Sequence, residues 1–367
     1  MRTRSRMVAV AMGLSLSGGL LGACGNGSSH SASAGTSGTG TQSATTCKSP
    51  DSLTFRLNWV QDYEQVPYYV ALNNGYYKSQ CLNVTIQPGR GSADTVTIVG
   101  SGTAQMGVAD TVAIIQGQAK GIPVTGVGVD WRKNAFAIVV RKSALHGVTN
   151  PTPSDLYGLT FGAVTAGSPY IFWKAFVGEQ HLDASKIKTV ALAPPGYAEM
   201  VEGKVDFLAN FASAATDLES KGVPVVTLKG ADFGQQAYGL GFLANSSWLA
   251  GHGQDVKRFL TATGQAMTWS AKHPSQALAI EAKYNPALTA TPSATKANLA
   301  GFSTDSALWS ADSSNGLGTY FDFTDTGINQ SEQILYQGGV LTGKPVDVTS
   351  QWTTQYIPAP SAYENQP

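Results

Sequence analysis

The chain has 367 residues, with 24 basic and 24 acidic side chains, 42% apolar residues and three cysteines. The charges are interspersed and form no basic block, which excludes a nucleic-acid surface of the usual electrostatic kind. Beyond the first two dozen residues no run of 18 apolar residues offers a membrane span, and the remaining length suits two lobes better than one simple core.

In chain order, Arg2, Arg4 and Arg6 precede the apolar run MVAVAMGLSLSGGLLGAC. A basic head, a short apolar stretch and small residues at its end make a secretion signal. Its last residues, Leu21-Gly22-Ala23-Cys24, resemble the lipobox of bacterial lipoproteins. That resemblance implies cleavage before Cys24 and a diacylglycerol on its sulfur, so residues 1–23 are expected to be a signal peptide. Removing them leaves 21 basic and 24 acidic residues, a formal charge of −3. The Gly, Ser, Thr and Ala of 24–50 cannot bury enough apolar area to offset ordering, which predicts a flexible tether with a mean reach of roughly 28 Å.

From residue 52, period-two apolar runs alternate with helical ones. SLTFRLNW predicts a strand, VPYYVALNNGYYKSQ a helix, LNVTIQP a strand, and PGRGS a turn into a helix over about 93–101. AQMGVAD, PVTGVGVD and AFAIVVRKS continue as strands around the helix TVAIIQGQAKG. A second series starts at LTFGAV and runs through PYIFWKAFVGEQHL, KTVALA, GYAEMVEGK, VDFLANF, ASAATDLESKG and VPVVTL. GLGFLANSSWLA reads as one more strand, HGQDVKRFLTATGQAMTWSAKHP as a long helix, and the remainder as mostly helical. Strand–helix alternation argues for α/β sheets covered on both faces, with the ligand crevice at the strand carboxyl ends. The expected organisation is a first lobe over 51–140, a second over 141–237, and a return to the first over 238–367. The chain thus crosses twice between lobes.

Cys47 and Cys81 precede SLTFRLNW and LNVTIQ respectively. If those strands are parallel neighbours, their leading ends are close, which predicts a Cys47–Cys81 disulfide in an oxidising compartment.

The ordered set LNW…YYVALNNGYY, LNVTIQPGRGSADTV, VGSGTAQMGVADT, LYGLTFGAVTAGSPYIFW, GKVDFLANF and YGLGFLAN resembles the solute-binding proteins of ABC importers for nitrate, sulfonates, taurine and thiamine pyrimidine precursors. The likeness covers about residues 52–280. It implies a two-lobed type II periplasmic-binding-protein fold with two hinge crossings and a ligand cleft between the lobes. It also implies a permease and its ATPase as partners, and a monomer held outside the cell membrane by the lipid on Cys24. No catalytic residue, metal or cofactor is expected. Eukaryotic relatives that make the thiamine pyrimidine carry a His after the first strand and a cysteine cluster; here Gln65 stands at the matching position and no such cluster exists. A sensor domain of the same fold is the other non-enzymatic reading.

Within such a cleft, Trp59, Asp62, Tyr63, Glu64 and Tyr68 supply rings and carboxylates, a mixture suited to a flat solute that donates hydrogen bonds. Gly91, Ser92, Asp110, Thr111, Ser168 and Tyr170 stand at strand-to-helix turns, where main-chain N–H groups also suit oxyanions. Asn210, Phe211 and Tyr238 are placed to close the cleft from the second lobe and the hinge. The expected ligand is a small planar nitrogen heterocycle, with riboflavin or a sulfonate, taurine or nitrate anion as the alternative.

Overall fold

Short Val-, Leu-, Phe- and Ala-rich runs, several ended by Gly, Asn or Asp, set the strand pattern. The computed structural model describes residues 47, 49–165, 167–193, 196–309 and 320–364; the signal, Cys24 and nearly all of the tether lie outside them. The strands of the first series are β1 (Asp51–Arg56), β2 (Leu82–Gln87), β3 (Met106–Asp110) and β4 (Val124–Val129). Then come β5 (Phe136–Arg141), β6 (Thr160–Ala163), β7 (Lys188–Ala191), β8 (Phe207–Phe211), β9 (Val225–Lys229) and β10 (Leu240–Asn245). They form two five-stranded sheets, ordered β2-β1-β3-β10-β4 and β7-β6-β8-β5-β9.

Between the strands of the first sheet lie α1 (Val66–Asn73), α2 (Tyr76–Ser79), α3 (Ser92–Gly100) and α4 (Thr111–Ala119). The second sheet carries α5 (Ser168–Glu179), α6 (Tyr197–Val201) and α7 (Ala214–Ser220). The C-terminal part supplies α8 (Ser246–Lys272), α9 (Pro274–Glu281), α10 (Pro292–Ser306) and α11 (Asp325–Gln337).

The chain passes between sheets twice, at 130–135 and at 230–239. The first passage comes before the lobe boundary expected at residue 140. β5 pairs antiparallel with β8 and β9 and so belongs to the second sheet. Sequence periodicity cannot separate the two assignments, because a fully buried apolar strand looks alike in either sheet. The return strand β10 is likewise antiparallel, set between β3 and β4. It stops at Asn245, earlier than the strand expected over GLGFLANSSWLA. The Asn245 side chain accepts a hydrogen bond from Trp248 N at 3.0 Å and caps α8, satisfying a donor that the first helical turn leaves open.

Three groups of buried side chains hold the molecule. One joins Phe55, Tyr68, Tyr77, Phe242 and Phe259 beneath the first sheet, with Tyr77 stacked on Phe259 at a centroid distance of 5.1 Å. A second runs from Val112 and Ile114 through Phe136, Phe172 and Phe176 to Ile328 and Leu335. It is continuous because α11 packs against both α4 and α5, one from each lobe. The third, around Val139, Met200, Leu208 and Leu218, lies on the second sheet.

β1 and β2 are parallel with Asp51 opposite Leu82, so their leading ends meet, and Cys47 is bonded to Cys81 with Cα atoms 5.5 Å apart. The bond closes a span of 34 residues, for which loop entropy predicts about 4 kcal/mol. The Cys47→Ser/Cys81→Ser variant is therefore expected to lose about that much unfolding free energy in urea. Equal midpoints for the two proteins would show that the bridge contributes no stability.

Candidate functional site

At the carboxyl end of β1 the backbone turns at Leu57–Asp62 instead of continuing as a strand through Trp59. A capping box fixes the turn: Asp62 Oδ1 accepts from Glu64 N at 2.9 Å, and Gln65 Oε1 accepts from Asp62 N at 2.9 Å. Glu64 Oε1 accepts from Asn58 Nδ2 at 2.6 Å and from Gln65 Nε2 at 2.9 Å. Gln65, at the position where the enzymes of the resembled family carry His, is thus a buried scaffold residue.

The next turn, PGRGS, ends at Gly91 with φ 129°, a backbone state that L side chains rarely adopt. Gly91 N donates to Asn58 O at 2.8 Å, and Ser92 starts α3. The Ser92 hydroxyl donates to Asp110 Oδ2 at 2.6 Å and accepts from Asp110 N at 2.9 Å. This ties the ends of β1 and β3 into one wall.

The second lobe supplies the opposite wall. Gly167, Ser168 and Pro169 open α5, Asn210 and Phe211 end β8, and Tyr197, Ser213 and Asp217 follow from α6 and α7. The hydroxyls of Tyr63 and Tyr197 lie near the Asp217 carboxyl and that of Ser213 near Asp305, none of them in a hydrogen bond of regular geometry. Tyr63 and Asp217 belong to different lobes and face one another across the cleft.

Asp305 comes from the end of α10, which packs on α7 and on the turn at Tyr63. Close approach there depends on Gly301: a Cβ at that position would lie 2.6 Å from the Tyr63 ring.

The closed cleft encloses a cavity of about 250 Å³. Ten of the fourteen residues expected from sequence line it: Trp59, Asp62, Tyr63, Glu64, Gly91, Ser92, Asp110, Ser168, Asn210 and Phe211. The other four do not. Tyr68 is turned into the first core by α1, where its hydroxyl donates to Asp130 Oδ2 at 2.6 Å. Thr111 is fully buried and its hydroxyl donates to Gly239 O at 2.7 Å, holding α4 to the second crossing. Tyr170 sits two residues beyond Ser168, where the helical turn carries it off the cleft to stack over Phe161 at 6.5 Å. Tyr238 accepts from Thr324 N at 3.0 Å and lines a different cavity at the hinge.

Of the ten other lining residues, Asn58, Tyr197, Ser213, Asp217 and Asp305 are the polar ones, and they were not expected from sequence. Asn58 immediately precedes Trp59 and shares its signal. Asp217 and Asp305 lie in helical stretches that read as ordinary solvated faces.

The electrostatics are one-sided. Among the described residues five carboxyl groups line the cavity, those of Asp62, Glu64, Asp110, Asp217 and Asp305, and no Lys, Arg or His does. Burial pushes the Asp62 carboxyl up to about 7, against the pull of the Glu64 amide and with a further push from Asp217. Glu64 and Asp305 are raised well above the carboxylate range, first by burial and then by the charge of Asp62. Asp110 is raised by burial, with the Ser92 and Ser168 hydroxyls opposing. Asp217 is raised by burial and drawn back by Lys221 and its two tyrosines. Behind the cavity wall, burial raises Glu281 to about 9. Buried Asp110 Oδ1 and Asp305 Oδ1 have no hydrogen-bond partner of regular geometry. Among the described residues no three His, Cys, Asp or Glu side chains converge as metal ligands.

Two crossed α/β lobes closing on a polar, ring-walled cavity at their strand ends define the periplasmic-binding-protein fold. The alkanesulfonate-binding protein SsuA of Xanthomonas axonopodis pv. citri, bound to MOPS, superposes with a TM-score of 0.62. The two are 16% identical, over 83% of this chain and 99% of that one. The chain belongs to the NMT1/THI5 like family, whose profile matches residues 63–277. The formylaminopyrimidine-binding protein of Halalkalibacterium halodurans is 22% identical over 248 residues, 65% of this chain and 72% of that protein. A 4-amino-5-hydroxymethyl-2-methylpyrimidine phosphate synthase of Saccharomyces cerevisiae is 34% identical over 79 residues. That match spans 22% of this chain and 23% of the enzyme.

Proposed function

We propose that this protein is the extracytoplasmic solute-binding component of an ABC importer, capturing a small planar nitrogen heterocycle of the thiamine-pyrimidine-precursor type. The observation that carries the reading is a cavity lined, among the described residues, by five carboxyl groups and no cation. An anion there would require every one of them to stay protonated. An aminopyrimidine brings N–H donors for the unpartnered oxygens of Asp110 and Asp305, and leaving such buried acceptors unpaired costs free energy. Trp59, Tyr63, Tyr197 and Phe211 supply faces and edges for a flat ring, worth about 0.5–1.5 kcal/mol per pair beyond area.

At about 250 Å³ the cavity falls below the ~300–1,000 Å³ of drug-sized sites. It suits one aromatic ring with small substituents and is too small for a three-ring flavin with its sugar chain. Family membership and the bacterial pyrimidine-binding relative support the same choice.

The way most of the acids are held supports binding without turnover. Asp62, Glu64 and Asp110 are held by amides and a hydroxyl, and Gln65 is committed to the capping box. The leader sequence supports export, with lipid on Cys24 as the anchor and delivery to a permease as the outcome. Lobe closure about the two crossings is the conformational change a permease would read.

The test is a thermal-shift and calorimetric screen of the mature chain against aminopyrimidines, riboflavin, taurine, alkanesulfonates and nitrate. A ligand at 100 times its Kd adds about 2.7 kcal/mol of stability. Stabilisation by an aminopyrimidine, with no change in that compound on long incubation, is the expected result. A shift by a sulfonate or nitrate alone would overturn the ligand class, and turnover would overturn the binding role.

A further inference from the structure

A second cavity, of about 490 Å³, lies where the inter-lobe connections meet. Arg132, Lys133 and Asn134 come from the first crossing, Gln235 and Tyr238 from the second, and Thr324 from the cap of α11. Its charge is opposite to that of the cleft: two bases and no acid line it.

Arg132 is anchored, donating through Nη2 to Asp322 O at 2.9 Å. Lys133 is exposed and takes part in no ion pair among the described residues. Asn134, 9% exposed, accepts from Phe136 N at 2.8 Å through Oδ1, while its Nδ2 has no partner. Gln235, fully buried, donates through Nε2 to Phe172 O at 3.0 Å, while its Oε1 has no partner. Asp322 and Glu179 act on Arg132 and Gln235 from outside the lining, and Asp232 and Asp325 adjoin lining residues in sequence without lining the cavity themselves.

A buried amide donor and a buried acceptor left open beside two cations form an incomplete hydrogen-bond set, and such groups cost free energy unless something satisfies them. A bound anion must accept from Asn134 and the cations and also donate to Gln235.

We infer that this hinge cavity is a second ligand site, for a phosphate group that is free or carried on a small hydroxylated ester. Hydrogen phosphate carries acceptor oxygens and an O–H together, which matches the open amide groups; sulfate at neutral pH carries acceptors alone. The cavity has room beside the phosphate group for a short ester chain. Because both crossings and α11 build the site, an occupant touches each connection that bends when the lobes close, and any coupling to the cleft is reciprocal.

The experiment is isothermal titration and thermal shift of the mature protein with sodium phosphate, sodium sulfate and glycerol 3-phosphate at matched ionic strength. Both inorganic ions stabilise proteins non-specifically by exclusion, so sulfate is the control. Phosphate is expected to bind at least about tenfold more tightly than sulfate. Lys133→Gln, at an exposed side chain, is expected to weaken phosphate about tenfold. Asn134→Asp keeps the acceptor for Phe136 N and puts a negative charge at the open donor, and should abolish binding. Tighter binding of glycerol 3-phosphate than of phosphate identifies an ester as the occupant, and the reverse identifies the free ion. Equal effects of phosphate and sulfate, no measurable phosphate binding, or phosphate binding unchanged by Lys133→Gln would each overturn the site. None of these readouts depends on what the cleft binds.

Discussion

Raising the pH from 5 to 8 is expected to destabilise the ligand-free protein by about 4 kcal/mol. Asp62 and Asp130 are each lifted from 3.8 to about 7, in both cases chiefly by burial. Below about pH 4 folded and unfolded chains both hold these protons, and the preference of the buried sites for the neutral acid is fully expressed. Between 4 and 7 the unfolded chain releases protons that the folded chain retains, so the unfolding free energy falls as pH rises. Above 7 the loss is complete. From pH 5 to 7, two units at 1.36 kcal/mol each would give about 2.7 kcal/mol per acid. Water entry on cleft opening relaxes part of this, so about 4 kcal/mol is expected for the two together. Urea unfolding at half-unit pH steps measures it. A flat or rising profile from pH 5 to 8 would show that these carboxyls are better solvated than their positions imply.

The second large effect is on binding. Asp110→Ala combined with Asp305→Ala is expected to weaken the cleft ligand by about 10³-fold, from two hydrogen bonds to charged or chargeable groups at ~1.5–3 kcal/mol each. Folding should respond in the opposite sense, with a melting temperature equal to or above wild type, because buried acids held above their ordinary range are removed. Functional sites are places where stability is given up in this way. The ligand found in the screen, titrated into both proteins by calorimetry, provides the check. An affinity within threefold of wild type would assign recognition to the rings and helix N-termini instead.

The two predictions are connected. A cationic or donor-rich ligand supplies what the five acids lack, so the bound protein should lose less stability above pH 7 than the free protein does. Ionised acids without a ligand repel one another across the lobes and favour opening.

Much of this molecule is legible without coordinates. Strand–helix alternation identifies the α/β lobes, since period-two and period-3.6 apolar runs can be buried in few other ways. The Cys47–Cys81 pair follows from two parallel strands sharing their leading ends. Most cleft residues from the first lobe are found because they lie at strand carboxyl ends, a position that local sequence marks with Gly, Ser and Asp.

What only tertiary packing decides is which side of a helix faces the cleft and which distant segment reaches it. Tyr68 and Tyr170 are as polar and aromatic as Tyr63, yet the phase of α1 and α5 turns them away. Asp217 and Asp305 carry no local signal; they become site residues because α10 bridges to α7 and carries Asp305 over the cleft. β5 joins the second sheet because antiparallel partners β8 and β9 are there to receive it. Local sequence thus settles element type and turn chemistry, which depend on neighbours in the chain. The five-acid cavity arises from contacts between residues up to 243 positions apart, from Asp62 to Asp305, and such long-range contacts leave no trace in local periodicity.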